Sequence, residues 1–294
     1  MNTEQVSKYL GINEKKVYKL ITEKKLPATK ITGKWTFLKD MVDRWLEGDI
    51  DMDVFLRQQK GVLLITGSDD MLFSQITNIL NKYSTDIFPF FCKTGSLKGL
   101  DVMKQGKAHI AGTHLLDEDS REYNIPFIDS YLEDRHIVTM NFASREQGLI
   151  VKKNNPKHII KLEDIARRGI RFINRQKGSG TRNLLDLSLK KLGISSLSVN
   201  GYKKEVTTHL EVGLHILNNS ADCGIGIKSV SNMLGLGFVP LSKERFDIVI
   251  LKEVFFSNSL QNFIEILRSA KFKRIASALG GYDTKTSGKV IYTN

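Results

Sequence analysis

Cysteine is nearly absent from this sequence, with Cys92 and Cys223 the only two in 294 residues. Both stand in apolar, strand-like surroundings without partner ligands nearby, which argues against a disulfide framework or a cysteine metal site and predicts two buried thiols. No apolar run approaches the roughly 20 residues of a spanning helix, so an integral membrane protein is disfavoured. The first thirty residues lack a basic start followed by an apolar run and a small-residue cleavage site. They open instead on the amphipathic MNTEQVSKYLG, and a cytoplasmic location is expected. Catalytic signatures are missing as well. The segment GSGTR lacks the lysine of a P-loop, no GxSxG elbow surrounds a serine, and His114 and His209 have no second ligand at metal spacing. Neither an enzyme nor a bound metal or cofactor is expected.

What is present is a chain with 41% hydrophobic residues, long enough to bury ordinary cores in two or three compact units. Its 44 Lys and Arg against 32 Asp and Glu give a formal charge of +12, which favours an acidic partner, nucleic acid being the usual one, with a solvated basic surface as the plain alternative.

The N-terminal stretch carries a recognisable spacing. Thr3 can cap a helix with Val6, Tyr9 and Leu10 on its apolar stripe; Gly11 and Ile12 make a turn; Asn13 can cap a second helix with Val17, Leu20 and Ile21 inward. Off that second stripe lie Lys15, Lys16, Tyr18 and Lys19, a set suited to phosphates and base edges or simply to solvent. Two short strand-like runs, 29–31 and 34–37, meet at Thr32-Gly33 as a basic hairpin, with Trp35 expected in the core. A third helix follows with Met41, Val42, Trp45 and Leu46 buried and Gly48 as its stop. The run TEQVSKYLGINEKKVYKLITEKKLPATKITGKWTFLKDMVDRWL resembles the excisionase-type branch of the winged-helix MerR superfamily over residues 1–48. That resemblance implies a partner, double-stranded DNA, with Lys15, Lys16, Tyr18 and Lys19 in the major groove and Lys30 and Lys34 on the wing. Residues 1–48 hold ten Lys and Arg against six Asp and Glu, a net of +4, so the excess positive charge is spread over the whole chain.

Residues 49–60 read as a linker or a short connecting helix. From Gly61 apolar strand-like runs alternate with amphipathic helices, which predicts an α/β unit with a largely parallel sheet. The runs 61–66, 87–92 and 108–111 each end in small or hydroxyl residues, Gly67-Ser68, Thr94-Gly95-Ser96 and Gly112-Thr113-His114, at the edge where open α/β sheets place ligands. A further strand-like run, 169–174, leads into Arg175-Gln176-Lys177-Gly178-Ser179-Gly180-Thr181-Arg182 and then an amphipathic helix. Small residues admit close backbone approach, Ser179 and Thr181 add hydroxyls, and the helix contributes its positive end, so this segment is built to hold an anion.

The motifs GSLKGLDVMKQGKAHIAGTHLLD, RFINRQKGSGTRNLLD, THLEVGLHI, ADCGIGI and RFDIVILKE, in this order, resemble the type 2 periplasmic-binding-protein fold. The similarity is to its cytoplasmic versions, fused to helix-turn-helix units and to molybdenum-cofactor proteins. It implies a two-lobed sensing domain over residues 61–294, with the second lobe at roughly 145–241. The cleft would hold a small oxyanion, molybdate or tungstate, as effector. The residues implied as its binding set are Ser68, Thr94, Ser96, Thr113, Ser179, Gly180, Thr181, Thr208 and His209. Arg182 is left between two roles, clamping the ligand or pairing structurally across the hinge with an acid such as Glu211 or Asp222. The resulting expectation is a ligand-responsive transcriptional regulator, a homodimer on paired half-sites. A metal-oxyanion storage or delivery protein and a sensor of an organic anion are the alternatives.

Overall fold

The computed structural model describes residues 1–23, 26–31, 33–49, 61–83 and 88–294, and the chain divides into two compact units, Met1–Gln59 and Lys60–Asn294. In the first, α1 (Thr3–Leu10) starts one residue earlier than the sequence indicates. Asn2 rather than Thr3 is the cap, because Asn2 Oδ1 accepts from Gln5 N–H at 2.8 Å while Gln5 Oε1 accepts from Asn2 N–H at 2.9 Å. Gly11, at φ +64°, ends the helix in the left-handed region. Asn13 caps α2 (Glu14–Thr22) through a 2.9 Å bond from Lys16 N–H. The strands β1 (Thr29–Ile31) and β2 (Lys34–Thr36) pair antiparallel, and α3 (Lys39–Asp49) runs past Gly48.

The core of this unit is small: Val6, Val17, Ile21, Leu26, Phe37 and Val42, with Trp35 and Trp45 partly buried against them. So small a core covers only the centre of each apolar stripe. Tyr9, Met41 and Leu46, expected inward, are therefore exposed, and the Tyr9 hydroxyl donates to Asp43 at 2.7 Å. Thr32 and residues 50–60, where the hairpin tip and the linker were expected, lie outside the described residues.

The second unit is built on strands in the order β4-β3-β5-β10-β6-β9-β7-β8. Their ranges are β3 Val62–Gly67, β4 Phe88–Lys93, β5 Ile110–Thr113, β6 Ile137–Val151, β7 Phe172–Arg175, β8 Glu205–Val206, β9 Cys223–Ile227 and β10 Gly237–Leu251. β3 is parallel to β4 and β5, and β7 is parallel to β8 and β9. Joining these two groups are β6 and β10, fifteen residues each and paired antiparallel along their length. At about 3.3 Å per residue each spans about 50 Å, too long for one lobe. The end of β10 at Asp247–Ile250 pairs with β5, while the end of β6 at Gln147–Val151 pairs with β9, so the same two strands belong to both lobes. Register shifts at Pro240/Ser242 and Phe246/Asp247 interrupt the ladder between them, where a hinge is easiest to bend.

Helices cover both faces of each lobe. In the first these are α4 (Met71–Tyr83), α5 (Ser96–Lys104) and α6 (Ile125–Tyr131); in the second, α7 (Gly180–Lys191), α8 (His209–Leu217) and α9 (Lys228–Leu234). The chain then returns along β10 to α10 (Lys252–Phe255), α11 (Asn258–Arg268) and α12 (Ala270–Leu279). Each lobe has two cores, one per sheet face. Phe73, Phe142 and Phe272 anchor one first-lobe core through edge-to-face contacts at 5.1 and 5.5 Å.

The two cysteines part company. Cys223, in the interior strand β9, is buried, and that burial raises its thiol. Cys92 is exposed, contrary to expectation, because β4 ends the strand order and leaves it and Phe90 uncovered.

Candidate functional site

Every loop singled out in the sequence follows the carboxyl end of a parallel strand: Ser68 after β3, Thr94 after β4, His114 after β5, Ser179 after β7 and Thr208 after β8. Direct bonds bring the two groups of loops together. Leu97 N–H donates to Gly178 O at 3.2 Å, Asn183 Nδ2 to Leu116 O at 2.8 Å, and His209 N–H to Asp69 Oδ2 at 2.8 Å. The fit around Gly180 is close enough that a Cβ there would stand 2.5 Å from His114 O. The two lobes are thus shut upon one another.

Between them lies a buried network of charged and polar groups. Arg145, in mid-β6 and 1% exposed, donates from Nε to Glu244 Oε1 at 2.5 Å and from Nη1 to Asp70 Oδ2 at 2.7 Å. Burial opposes its charge, but Glu244 and Asp70 outweigh burial and raise it. Burial also works against the Glu244 carboxylate, yet Arg145 and His114 hold its carboxyl down at about 2. Being ionised, Glu244 can only accept, so His114 Nδ1, 2.8 Å away, carries the hydrogen. Burial lowers the His114 pKa, with Glu244 opposing and Arg145 reinforcing the shift, so the ring is neutral and Nε2 is bare. The Ser68 hydroxyl, 2.8 Å from that nitrogen, therefore directs its hydrogen to His114. With its hydrogen so engaged, Ser68 has only lone pairs left to offer.

Arg175 is the second buried guanidinium, also 1% exposed. Its Nη2 donates to Thr207 O at 2.8 Å, but Nε and Nη1 have no partner. Burial depresses it to about 10, Asp69 opposing and Arg145 adding to the shift. Arg145 Nη2, Thr113 Oγ1, Gln147 Oε1 and both ring nitrogens of His209 are likewise buried without partners. Arg175 and Arg145 lie within electrostatic reach of His209, and after burial they are the largest influences lowering its pKa. Buried polar atoms are ordinarily satisfied, so a cluster of unsatisfied ones marks a place shaped for something else.

The remaining expected residues fall into three groups. Thr94 ties two strand ends together, its Oγ1 2.8 Å from Thr66 Oγ1 and accepting from Gly67 N–H at 3.1 Å. Ser179 and Thr208 are helix caps for α7 and α8, accepting from Arg182 N–H at 3.2 Å and Glu211 N–H at 3.1 Å. Buried in the cleft are Ser96, whose hydroxyl accepts a long 3.4 Å bond from His114 N–H, and Thr181, which accepts from Gln147 Nε2 at 2.7 Å. Thr113, His209 and Gly180 stand with them.

Arg182 pairs structurally, but within the second lobe rather than across the hinge, and with different acids from those anticipated. Its Nε reaches Asp186 at 2.9 Å, its Nη1 reaches Glu205 at 2.7 Å, and its guanidinium carbon lies 4.2 Å from the Tyr202 ring centre. Asp222 instead pairs with Arg171 at 2.8 Å, and Glu211 closes the capping box of Thr208. Among the described residues no cluster of three or more His, Cys, Asp or Glu is placed to hold a metal.

Arg145, Arg175, Gln147, Asp69 and Glu244 are the site residues that sequence reasoning missed. A signal existed for one of them: Arg175 opens the anion-holding segment at a strand end. In the N-terminal unit Lys15, Lys16, Tyr18 and Lys19 are exposed on α2, away from Val17 and Ile21. Lys30 and Lys34 are exposed on the hairpin, the Lys30 ammonium 5.7 Å from the Trp35 ring centre.

Comparison with known proteins places both units. The model of the PBP superfamily domain matches residues 78–268, and that of a helix-turn-helix domain matches residues 1–49. The uncharacterized protein YvgK of Bacillus subtilis is 38% identical over 232 residues, covering 78% of this chain and 73% of that protein. Two solved structures share the fold of the larger unit. One is a substrate-binding protein from Clostridium perfringens with bound phosphate: TM-score 0.56, 15% identity, 74% of this chain and 97% of that one. The other is the tungstate ABC transporter from Geobacter sulfurreducens: TM-score 0.53, 14% identity, 74% and 98%.

Proposed function

The chain belongs to the PBP superfamily and carries an N-terminal helix-turn-helix domain, and from that premise we propose a ligand-responsive DNA-binding regulator that senses a small oxyanion between its two lobes. The observation that carries the sensing half is Arg175, a buried guanidinium with two unpartnered nitrogens, electrostatically coupled to His209, whose ring nitrogens are also buried without partners. An unpaired buried cation is costly, and an anion is what relieves it. Ligand acts through its different affinity for the open and closed forms, and so shifts the population that engages DNA.

Molybdate and tungstate are the effectors implied by the sequence resemblance, and phosphate joins them as a candidate through the fold relatives. A small organic anion is favoured as the second reading by the two guanidiniums, Arg145 and Arg175, which suit a carboxylate as well as a tetrahedral oxyanion. The DNA half rests on the exposed face of α2 and on the hairpin lysines. We take the working form as a cytoplasmic homodimer on paired half-sites; among the described residues no helix is long and apolar enough to cross a membrane.

Calorimetric titration with molybdate, tungstate, sulfate, phosphate and simple carboxylates tests the sensing half. Binding by at least one, lost in Arg175→Met, is expected; silence in every titration sinks it. Electrophoretic shifts on the gene's own upstream DNA test the other half, which fails if low-salt binding is absent or is indifferent to Lys34→Ala combined with Lys16→Ala.

A further inference from the structure

Resting on that sensing role, we infer that the cleft selects an anion that itself carries a hydrogen-bond donor, with His209 as the selecting residue. A singly protonated phosphate and a hydroxy- or amino-carboxylate belong to this class. Molybdate, tungstate and sulfate, as fully deprotonated tetraoxo dianions, do not.

His209 is the first residue of α8; its ring is fully buried, and neither ring nitrogen has a partner. Arg175, Arg145 and Lys93 add positive charge around it, and burial with these cations keeps the imidazole neutral. A neutral imidazole has one N–H and one bare nitrogen, whichever tautomer it adopts. The bare nitrogen can be satisfied only by a donor. Asp69, the acid nearest in the network, has nothing to give: one carboxylate oxygen is 2.8 Å from Lys93 Nζ and the other accepts from His209 N–H.

Ser68 gives the same answer independently. Its hydrogen goes to His114 Nε2, so its oxygen meets a ligand as an acceptor. The guanidiniums require the opposite, because Arg175 Nε and Nη1 and Arg145 Nη2 are donors without acceptors. Together these groups ask for a ligand that carries both anionic oxygens and a hydrogen. A tetraoxo dianion offers acceptors all round and leaves the His209 nitrogen and the Ser68 lone pair unmet. Sites built to hydrogen-bond a ligand hydrogen reject analogues that lack it far more strongly than apolar pockets distinguish sizes.

Titration of the full-length protein at about pH 8 separates the classes at equal charge, since phosphate then carries one hydrogen while sulfate, molybdate and tungstate carry none. A second arm compares lactate with propionate and so distinguishes an inorganic source of the donor from an organic one. Phosphate or the hydroxy acid is expected to bind at least about tenfold tighter than its donor-free counterpart. His209→Phe should bring the members of the favoured pair to within about threefold of each other. His209→Gln, which keeps a donor and an acceptor, should retain the preference and controls for folding. On addition of the favoured anion, the 15N resonance of the bare His209 nitrogen should move toward a hydrogen-bonded value. Equal or tighter binding of sulfate, molybdate or tungstate, or a preference that survives His209→Phe, overturns the assignment while leaving the sensor intact. Absence of binding by every anion removes the sensor reading and this one with it.

Discussion

The backbone N–H of His209 donates a 2.8 Å hydrogen bond to the Asp69 carboxylate, tying the first turn of a second-lobe helix to a first-lobe loop. A carboxylate at a helix N-terminus is favoured by both the free N–H groups and the helix dipole. The bond exists only when the lobes are shut, so it stabilises closure rather than the fold of either lobe. Asp69→Ala is accordingly expected to weaken anion binding about tenfold, within the range for hydrogen bonds to charged groups, while the ligand-free melting temperature changes little. Small-angle scattering with saturating anion should give a larger radius of gyration for the variant. Equal affinity and equal radius for the two proteins would remove Asp69 from the latch.

Gly180 sits at the tightest point of the same closure. A methyl group there meets His114 O at 2.5 Å and the His114 ring at 2.6 Å, and a backbone carbonyl cannot swing aside as a side-chain tip can. Gly180 is not in the left-handed region, so Gly180→Ala brings no backbone strain and somewhat favours the helix. The expected result is a folded protein that binds anion at least about tenfold more weakly, because closing meets a steric wall costing about 1–3 kcal/mol. Wild-type affinity in a variant of normal stability would show that the working closed form is looser than this one.

For Arg182 the opposite pattern is expected. Its ion pairs with Asp186 and Glu205 and its stacking on Tyr202 all lie within the second lobe. Both acids are partly exposed, which limits the value of each pair, but the arginine itself is buried and packs as well as pairs. Arg182→Ala should lower unfolding stability by about 1–3 kcal/mol in denaturant titrations and leave anion affinity within about threefold. A large affinity loss at unchanged stability would return Arg182 to the ligand.

The contrast between Arg182 and Arg175 shows how far the sequence could be read. Strand-helix alternation, caps and the small residues after each strand follow from local chemistry, so the two lobes and the loops between them are legible in the chain. The partner of a given side chain is decided by elements far away in sequence. Arg182 looks like part of the anion segment because it is adjacent to it, but position 182 is on the first turn of α7, where its side chain turns toward Asp186 and β8. Arg175, seven residues earlier, ends β7 and opens the same segment, but nothing local says that its guanidinium will be buried with two nitrogens unpartnered. Similarly, a serine after a strand reads as an oxyanion donor until His114 and Glu244, 46 and 130 residues further along the network, fix where its hydrogen goes. The breadth of an apolar stripe misleads in the same way at Tyr9 and Met41, since nothing local says how large the core beneath will be.

The buried histidines also set how stability depends on pH. His114, His209 and His109 all lie below the ordinary histidine value, burial being the largest cause for each, so they are neutral in the folded protein. In the unfolded chain they take up protons near pH 6.5, so below about that pH the unfolded state holds more protons than the folded one. Stability is therefore full above about pH 7 and declines as pH falls through about 6.5, the reverse of a histidine stabilised by charging. Glu244 adds a second loss at lower pH. Its carboxyl is held at about 2 in the fold, where the charge of Arg145 and the hydrogen bond from His114 outweigh burial, against about 4.3 when unfolded. The stability it contributes is present above about 4.3 and disappears as pH falls toward about 2. Urea midpoints measured from about pH 8 down to about pH 5 should show the first decline. His209→Gln, which removes one titrating ring, should make it shallower. A midpoint that holds constant across that range, or an identical slope in the variant, would mean that these rings become charged inside the folded protein, and with them the neutral state on which the polarity of the cleft depends.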